Sequence, residues 1–151
     1  MKESTAIAKT PVRQLSVFLD NRVGALMALV KLLNENHIEV IGYSLQEAAE
    51  ITILRLIVSD PDSAATLFME RGIAHTDTLM IIVELREGAH GLGTCLSALR
   101  TAEINIRSSY PLLTRPGQGS LLALHVDDAE VGAEALGASG FRVLSQGELS
   151  R

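Results

Sequence analysis

Leu19-Asp20-Asn21-Arg22-Val23-Gly24-Ala25-Leu26 joins two periodicities. Before it, Leu15, Val17 and Leu19 alternate with Ser16 and Phe18, the period-two pattern of a half-buried strand. After it, Leu26, Leu29, Val30 and Leu33 fall at i, i+3, i+4 and i+7, one stripe of a helix. The loop therefore carries a strand into a helix N-terminus. Asp20 and Asn21 suit a turn, and Gly24 lets the backbone come close to whatever sits above it. The first helical amides lack intrahelical acceptors and carry partial positive charge, so they form a place for a carboxylate.

Working outward, residues 1–11 are polar and aperiodic and are expected to be a mobile tail. The helix over 25–36 ends at His37, and Ile38 to Leu45 alternates as a second strand. Glu47-Ala48-Ala49-Glu50 is short enough for a hairpin, and Ile51 to Val58 is β-branched and nearly all apolar, a third strand. Asp60-Pro61 offers an N-cap followed by proline at the first helical position, and Gly72 sits where a helix C-terminus favours a left-handed residue. A second helix over 61–71 and a shorter strand over 73–79 complete the order βαββαβ.

The pattern then repeats. Leu15, Val17 and Leu19 recur 66 positions on as Ile81, Val83 and Leu85; Leu26, Leu29, Val30 and Leu33 recur as Leu92, Cys95, Leu96 and Leu99; Ile38 and Val40 recur as Ile104 and Ile106. After a Gly/Pro turn read as a hairpin over Pro111–Gly119 the spacing becomes 68, so Leu54, Leu56 and Val58 match Leu122, Leu124 and Val126, Asp60 matches Asp128 and Gly72 matches Gly140. The expectation is an α+β chain of two tandem ferredoxin-like βαββαβ modules, 12–79 and 80–147, each with an antiparallel sheet and its helices on one face. Each is small for a core of its own.

Composition narrows the function. A content of 47% hydrophobic residues in 151 supports a core, and five aromatics make it aliphatic. Net charge −5 argues against nucleic acid, as do the two tyrosines, Tyr43 and Tyr110, too few for base stacking. No apolar run reaches membrane-spanning length. The lone Cys95 cannot form an internal disulfide, and no signal peptide is evident, so a reducing, cytoplasmic setting is expected. His37, His75, His90 and His125 lack metal-ligand spacing, Cys95 sits at the apolar position of Leu29, and the acids form no facing pair. No catalytic residue, metal site or cofactor is expected. Gly88-x-x-Gly91-x-Gly93 has the wrong spacing for a dinucleotide fingerprint, and Arg115-Pro116-Gly117-Gln118-Gly119-Ser120 reads as a turn between strands.

With its Asp-Asn-x-x-Gly-Ala-Leu loop and βαββαβ order, the chain resembles the ACT domain, a small-molecule-sensing module of amino-acid metabolism. The loop is also similar to that of the acetolactate synthase regulatory small subunit. The resemblance implies an amino acid effector held against the loop, with Asn21, Val23, Gly24, Ala25 and Leu26 as contacts and Ile38 as a wall. A second, weaker site is implied at Gly88, His90, Gly91 and Leu92, where His90 stands opposite Gly24 and Gly91 takes the glycine's role only if the loop shifts by one residue. Val23 replaces the proline common before that glycine. The expected protein is a non-catalytic regulator binding a small, aliphatic amino acid, a homodimer, with an enzyme of amino-acid metabolism as partner; the alternative is a regulatory subunit of an enzyme such as acetolactate synthase, acting mainly by protein contact.

Overall fold

The computed structural model describes residues 11–20, 22–113 and 119–150. Nearly all of the expected tail, Asn21 and the tip of the 111–119 turn lie outside them. The elements are β1 (Val12–Asp20), α1 (Ala25–Glu35), β2 (Val40–Ala48), β3 (Ile51–Val58), α2 (Pro61–Glu70), β4 (His75–Leu85), α3 (Ala89–Thr101), β5 (Ile106–Pro111), β6 (Ser120–Val126), α4 (Ala129–Ala138), β7 (Val143–Leu144) and α5 (Gln146–Leu149). Two compact units are centred on Arg13–Thr78 and Leu79–Leu149. None of the described helices is long and apolar enough to cross a membrane.

In the first unit the antiparallel order is β2-β3-β1, with Leu15 opposite Leu56 and Val17 opposite Leu54. In the second it is β5-β6-β4, with β7 on the other edge of β4; Ile81 lies opposite Leu124 and Val83 opposite Leu122. Those four pairs stand in the same relation as the sequence repeat. Each unit has one aliphatic core between its sheet and its two helices. Leu15, Val17, Leu54 and Leu56 meet Leu29, Leu33 and Phe68 in the first. Ile81, Val83, Leu122 and Leu124 meet Cys95, Leu99 and Leu136 in the second. Each unit is thus a ferredoxin-like module with its longer helices on one face of its own sheet.

The helix ends repeat too. Asp60 caps α2 by accepting from Ser63 N at 3.1 Å, and Asp128 caps α4 by accepting from Val131 N at 3.1 Å. All four longer helices stop through a left-handed residue: Gly72 and Gly140 after α2 and α4, His37 and Glu103 after α1 and α3. In each case the next amide reaches back to the helix, as Ile38 N does to Leu33 O at 2.9 Å and Ile104 N to Leu99 O at 2.9 Å. The Ser63 hydroxyl and amide hold the Asp60 carboxyl below its ordinary value of 3.8. A lowered carboxylate adds stability above the unfolded pKa and loses it as pH falls through the folded one. Asp60→Ala is therefore expected to cost about 1 kcal/mol at neutral pH, and chemical denaturation should show the gap to wild type closing below the unfolded carboxyl value; a gap constant to lower pH would contradict this origin.

Three expectations need correction. The strands read over 73–79 and from Ile81 are one continuous strand, β4, because residues 76–80 hold no Gly, Pro or Asn and Asp77 alone does not break it. The last strand of the second module is only Val143–Leu144, because Ser145 and Glu148 redirect the chain into α5. There Ser145 N donates to Glu148 Oε1 at 2.9 Å and Glu148 N to Ser145 Oγ at 3.3 Å, a reciprocal cap. The second loop also differs: α3 starts at Ala89, 64 rather than 66 positions after Ala25, so its capping residue is Gly88.

Candidate functional site

After β1 the chain turns sharply, with Arg22 N donating to Asp20 O at 2.8 Å and Ala25 N to Arg22 O at 3.2 Å. Gly24 closes the turn at φ +84°, a left-handed conformation, with nothing within 4 Å of the place a Cβ would occupy. It stands at the N-cap of α1 and brings no side chain to it, and no other side chain caps that end among the described residues. The first intrahelical donor is Ala28, whose N–H reaches Gly24 O at 2.9 Å. The amides of Leu26 and Met27 belong to the turn that an α-helix leaves without acceptors.

Val23, Gly24, Ala25 and Leu26 line one open cleft of about 610 Å³, with Met27 beside them. Its opposite side comes from the first-unit hairpin: Leu45 and Glu47 on β2 and Thr52 on β3, while Asp20 and Arg22 sit at the loop. Val23, Met27 and Leu45 are 107%, 76% and 48% exposed, three large apolar side chains around a hollow. At the repeat spacing the second unit has Ala89, Gly93 and Pro111 in their places. That exposed apolar rim belongs to the first unit.

Ile38 is not part of this cleft. It is 2% exposed, packs in the first core and borders a separate hollow with Asn36 and Asp62, beyond the far end of α1. Met27, Leu45, Glu47 and Thr52 are the residues that reading the loop alone misses. Leu45 carried a signal, being a large apolar residue in the polar half of an amphipathic strand.

The second set is dispersed. Gly88, at φ +58°, is the N-cap of α3, so it and not Gly91 has the positive-φ place before the helix. Gly91 is buried in the first helical turn against Leu85. His90 is largely exposed, its Nε2 3.6 Å from Glu87 Oε2. It borders a groove between α3 and α4, whereas Gly91 borders a different hollow beside Glu84. Leu92 is 37% exposed. These four residues do not gather around one hollow.

The remaining chemistry-bearing groups have structural surroundings. Cys95 is fully buried in the second core, and burial pushes its thiol up, away from a reactive thiolate. The His75 ring packs edge-on against Phe68 at 5.5 Å, with Nδ1 3.1 Å from Ile73 O. Among the described residues no three of His, Cys, Asp or Glu come together as metal ligands.

Comparison with known proteins follows the same lines. Residues 10–150 match the family described as an ACT domain pair. No curated protein matches. Among solved structures, protein BT0572 from Bacteroides thetaiotaomicron superposes with a TM-score of 0.85 at 23% identity, over 95% of this chain and 98% of that one. The regulatory subunit of aspartate kinase from Thermus thermophilus superposes at 0.58 and 12% identity, over 86% and 93%. A structure of aspartokinase alpha and beta subunits does so at 0.53 and 14%, over 87% and 98%. At these identities the likeness to the three structures is one of fold.

Proposed function

The chain belongs to the family of ACT domain pairs, and from that premise we propose a regulator without a reaction of its own whose first module, 12–79, binds a small aliphatic amino acid at the start of α1. The observation that carries this reading is one cleft that combines a helix start with no side-chain cap among the described residues and the exposed apolar groups Val23, Met27 and Leu45. The ligand's carboxylate would take the first-turn amides of α1. Its ammonium would lie toward Asp20 and Glu47, and its side chain against Val23, Leu26 and Leu45. Leu45 replaces Ile38 as the wall. Asn21 retains its proposed part as a hydrogen-bonding neighbour.

Binding would act on a partner by favouring one packing of modules or subunits over another, to the extent that the ligand prefers it. In this reading the second module, 80–147, completes the pair, and the protein works as a cytoplasmic homodimer beside an enzyme of amino-acid metabolism. Docking on a catalytic subunit is the second reading, favoured by the exposure of Val23 in the turn before the first helix and of Met27 in its first turn.

A thermal-shift screen of the full chain against the twenty L-amino acids tests it. A ligand at a hundred times its Kd stabilises the folded state by about 2.7 kcal/mol, which for a chain of this size raises the transition by roughly 5–10 °C. Selective stabilisation by small aliphatic amino acids is expected. No shift with any of the twenty overturns the ligand reading and leaves docking on a catalytic subunit, which co-purification of a large second chain would show.

A further inference from the structure

Among the described residues four side chains carry sulfur, and exposure divides them into two pairs. Cys95 and Met80 are 0% and 4% exposed, whereas Met27 and Met69 are 76% and 74% exposed. Burial keeps the Cys95 thiol protonated as well as covered, so an oxidant in solution meets two thioethers and no thiolate. A thioether has no proton to lose, and its access to solvent decides whether a peroxide reaches it. Of the two exposed thioethers, Met27 lines the first-module cleft and Met69 lies in the last turn of α2, outside it.

Met27 also holds a particular place in α1. Gly24 is the N-cap, so Ala25, Leu26 and Met27 are the first, second and third helical residues. From the third place a Glu or Gln side chain reaches back to the N-cap amide, the returning half of a capping box. Helical side chains lean toward the N-terminus, so a residue here covers the turn whose amides the helix leaves without acceptors. Methionine has the reach for this and lacks the acceptor, since a thioether sulfur accepts hydrogen bonds only weakly. Its sulfoxide supplies one: Sδ stands where Gln has Cδ, and the new oxygen stands where Gln has its carbonyl oxygen. A sulfoxide at Met69 has no such role, because the free groups at a helix C-terminus are carbonyls, themselves acceptors. The third helical residue of α3 is Gly91, with no side chain to oxidise.

We propose that Met27 is a redox switch on the first-module cleft: once a peroxide oxidises it, the sulfoxide oxygen takes the first-turn amides of α1 in place of the ligand's carboxylate. The inference rests on the ligand reading given above. Hydrogen peroxide passes one oxygen atom to Sδ; the S–O bond forms as the O–O bond breaks, sulfur gives up two electrons, and the other oxygen leaves as water. A dithiol-driven sulfoxide reductase reverses the step, the dithiol becoming a disulfide and the oxygen leaving as water. Oxidation also makes polar one of the three large apolar side chains around the cleft, Val23, Met27 and Leu45. Both effects lower affinity for an aliphatic amino acid.

The test measures thermal stabilisation of the full chain by L-alanine, L-valine, L-leucine and L-isoleucine before and after hydrogen peroxide, with the sulfoxides located by peptide mass spectrometry. Its concentration dependence gives the affinity. Wild type is compared with Met27→Leu, Met69→Leu and Met27→Gln, all at exposed positions whose exchange leaves the cores intact. Met27 and Met69 are expected to gain oxygen faster than Met80. Wild type and Met69→Leu then lose about tenfold or more in affinity, Met27→Leu keeps its affinity through the same treatment, and untreated Met27→Gln binds as weakly as oxidised wild type. Affinity unchanged after full oxidation of Met27, or an equal loss in Met27→Leu, overturns the switch and leaves the ligand reading standing. Untreated Met27→Gln that binds like wild type overturns the competition for the amides. A chain that responds to none of the four amino acids in either form overturns the ligand reading, and the switch with it.

Discussion

Gly24→Asp is expected to lower amino acid affinity by more than about a hundredfold while the protein stays folded. Two like charges about 4 Å apart near a protein surface repel by roughly 4 kcal/mol, and each ~1.4 kcal/mol is a tenfold change in affinity. The new carboxylate would stand at the seat proposed for the ligand's own. Space is not the obstacle, since nothing lies within 4 Å of the built Cβ. The φ of +84° costs a side-chain-bearing residue about 1–2 kcal/mol, and Asp is among the residues that tolerate it best. Gly24→Asn carries the same backbone strain without the charge. Titration of both variants separates the causes: loss in Asp and retention in Asn supports a carboxylate seat, equal loss in both points to backbone geometry, and wild-type affinity in Asp removes the loop from the site.

Phe68→Ala should bring the largest loss of stability, about 3–5 kcal/mol, out of a total that for most domains is only about 5–15 kcal/mol. Phe68 is fully buried on the inner stripe of α2, among Leu15, Leu33, Leu54 and Leu56. Truncation leaves a void in a core of stiff aliphatic side chains and takes away the edge-on partner of His75. Leu136 holds the matching position in the second core, and Leu136→Ala should cost about 2–5 kcal/mol. Urea unfolding followed by circular dichroism measures both; a loss under about 1 kcal/mol for Phe68→Ala would mean that the core collapses around the gap.

The fold was legible because the repeat tested each reading twice. Leu15 and Ile81, Leu56 and Leu124, Val58 and Val126 are paired by spacing alone, and each pair holds the same place in its own core. The Asp60 and Asp128 caps were equally readable, since an N-cap is local chemistry. The continuity of β4 is hard to read because a repeat boundary invites a break there, and Asp77 is the one turn-favouring residue between Thr76 and Met80. Ser145-x-x-Glu148 was a visible helix-start signal that a template of four strands per module overrode.

Site residues were less legible than core residues. The loop set Val23–Leu26 is contiguous, so one cleft gathers it. Ile38 is separated from it by the full 11-residue length of α1, about 16 Å at 1.5 Å per residue, a distance that no inspection of the loop reveals. Leu45 and Thr52 reach the cleft only through the hairpin pairing of β2 with β3.

Each module holds one longer helix whose start carries its own aspartate and one whose start is a bare glycine. The first kind is complete as synthesised. For α1, on the proposed reading, the capping group arrives by diffusion and leaves again, so the amino acid level of the surroundings becomes a component of secondary structure. The first turn would then tighten and fray with supply, and a partner resting on that turn would sense nutrient abundance as stiffness.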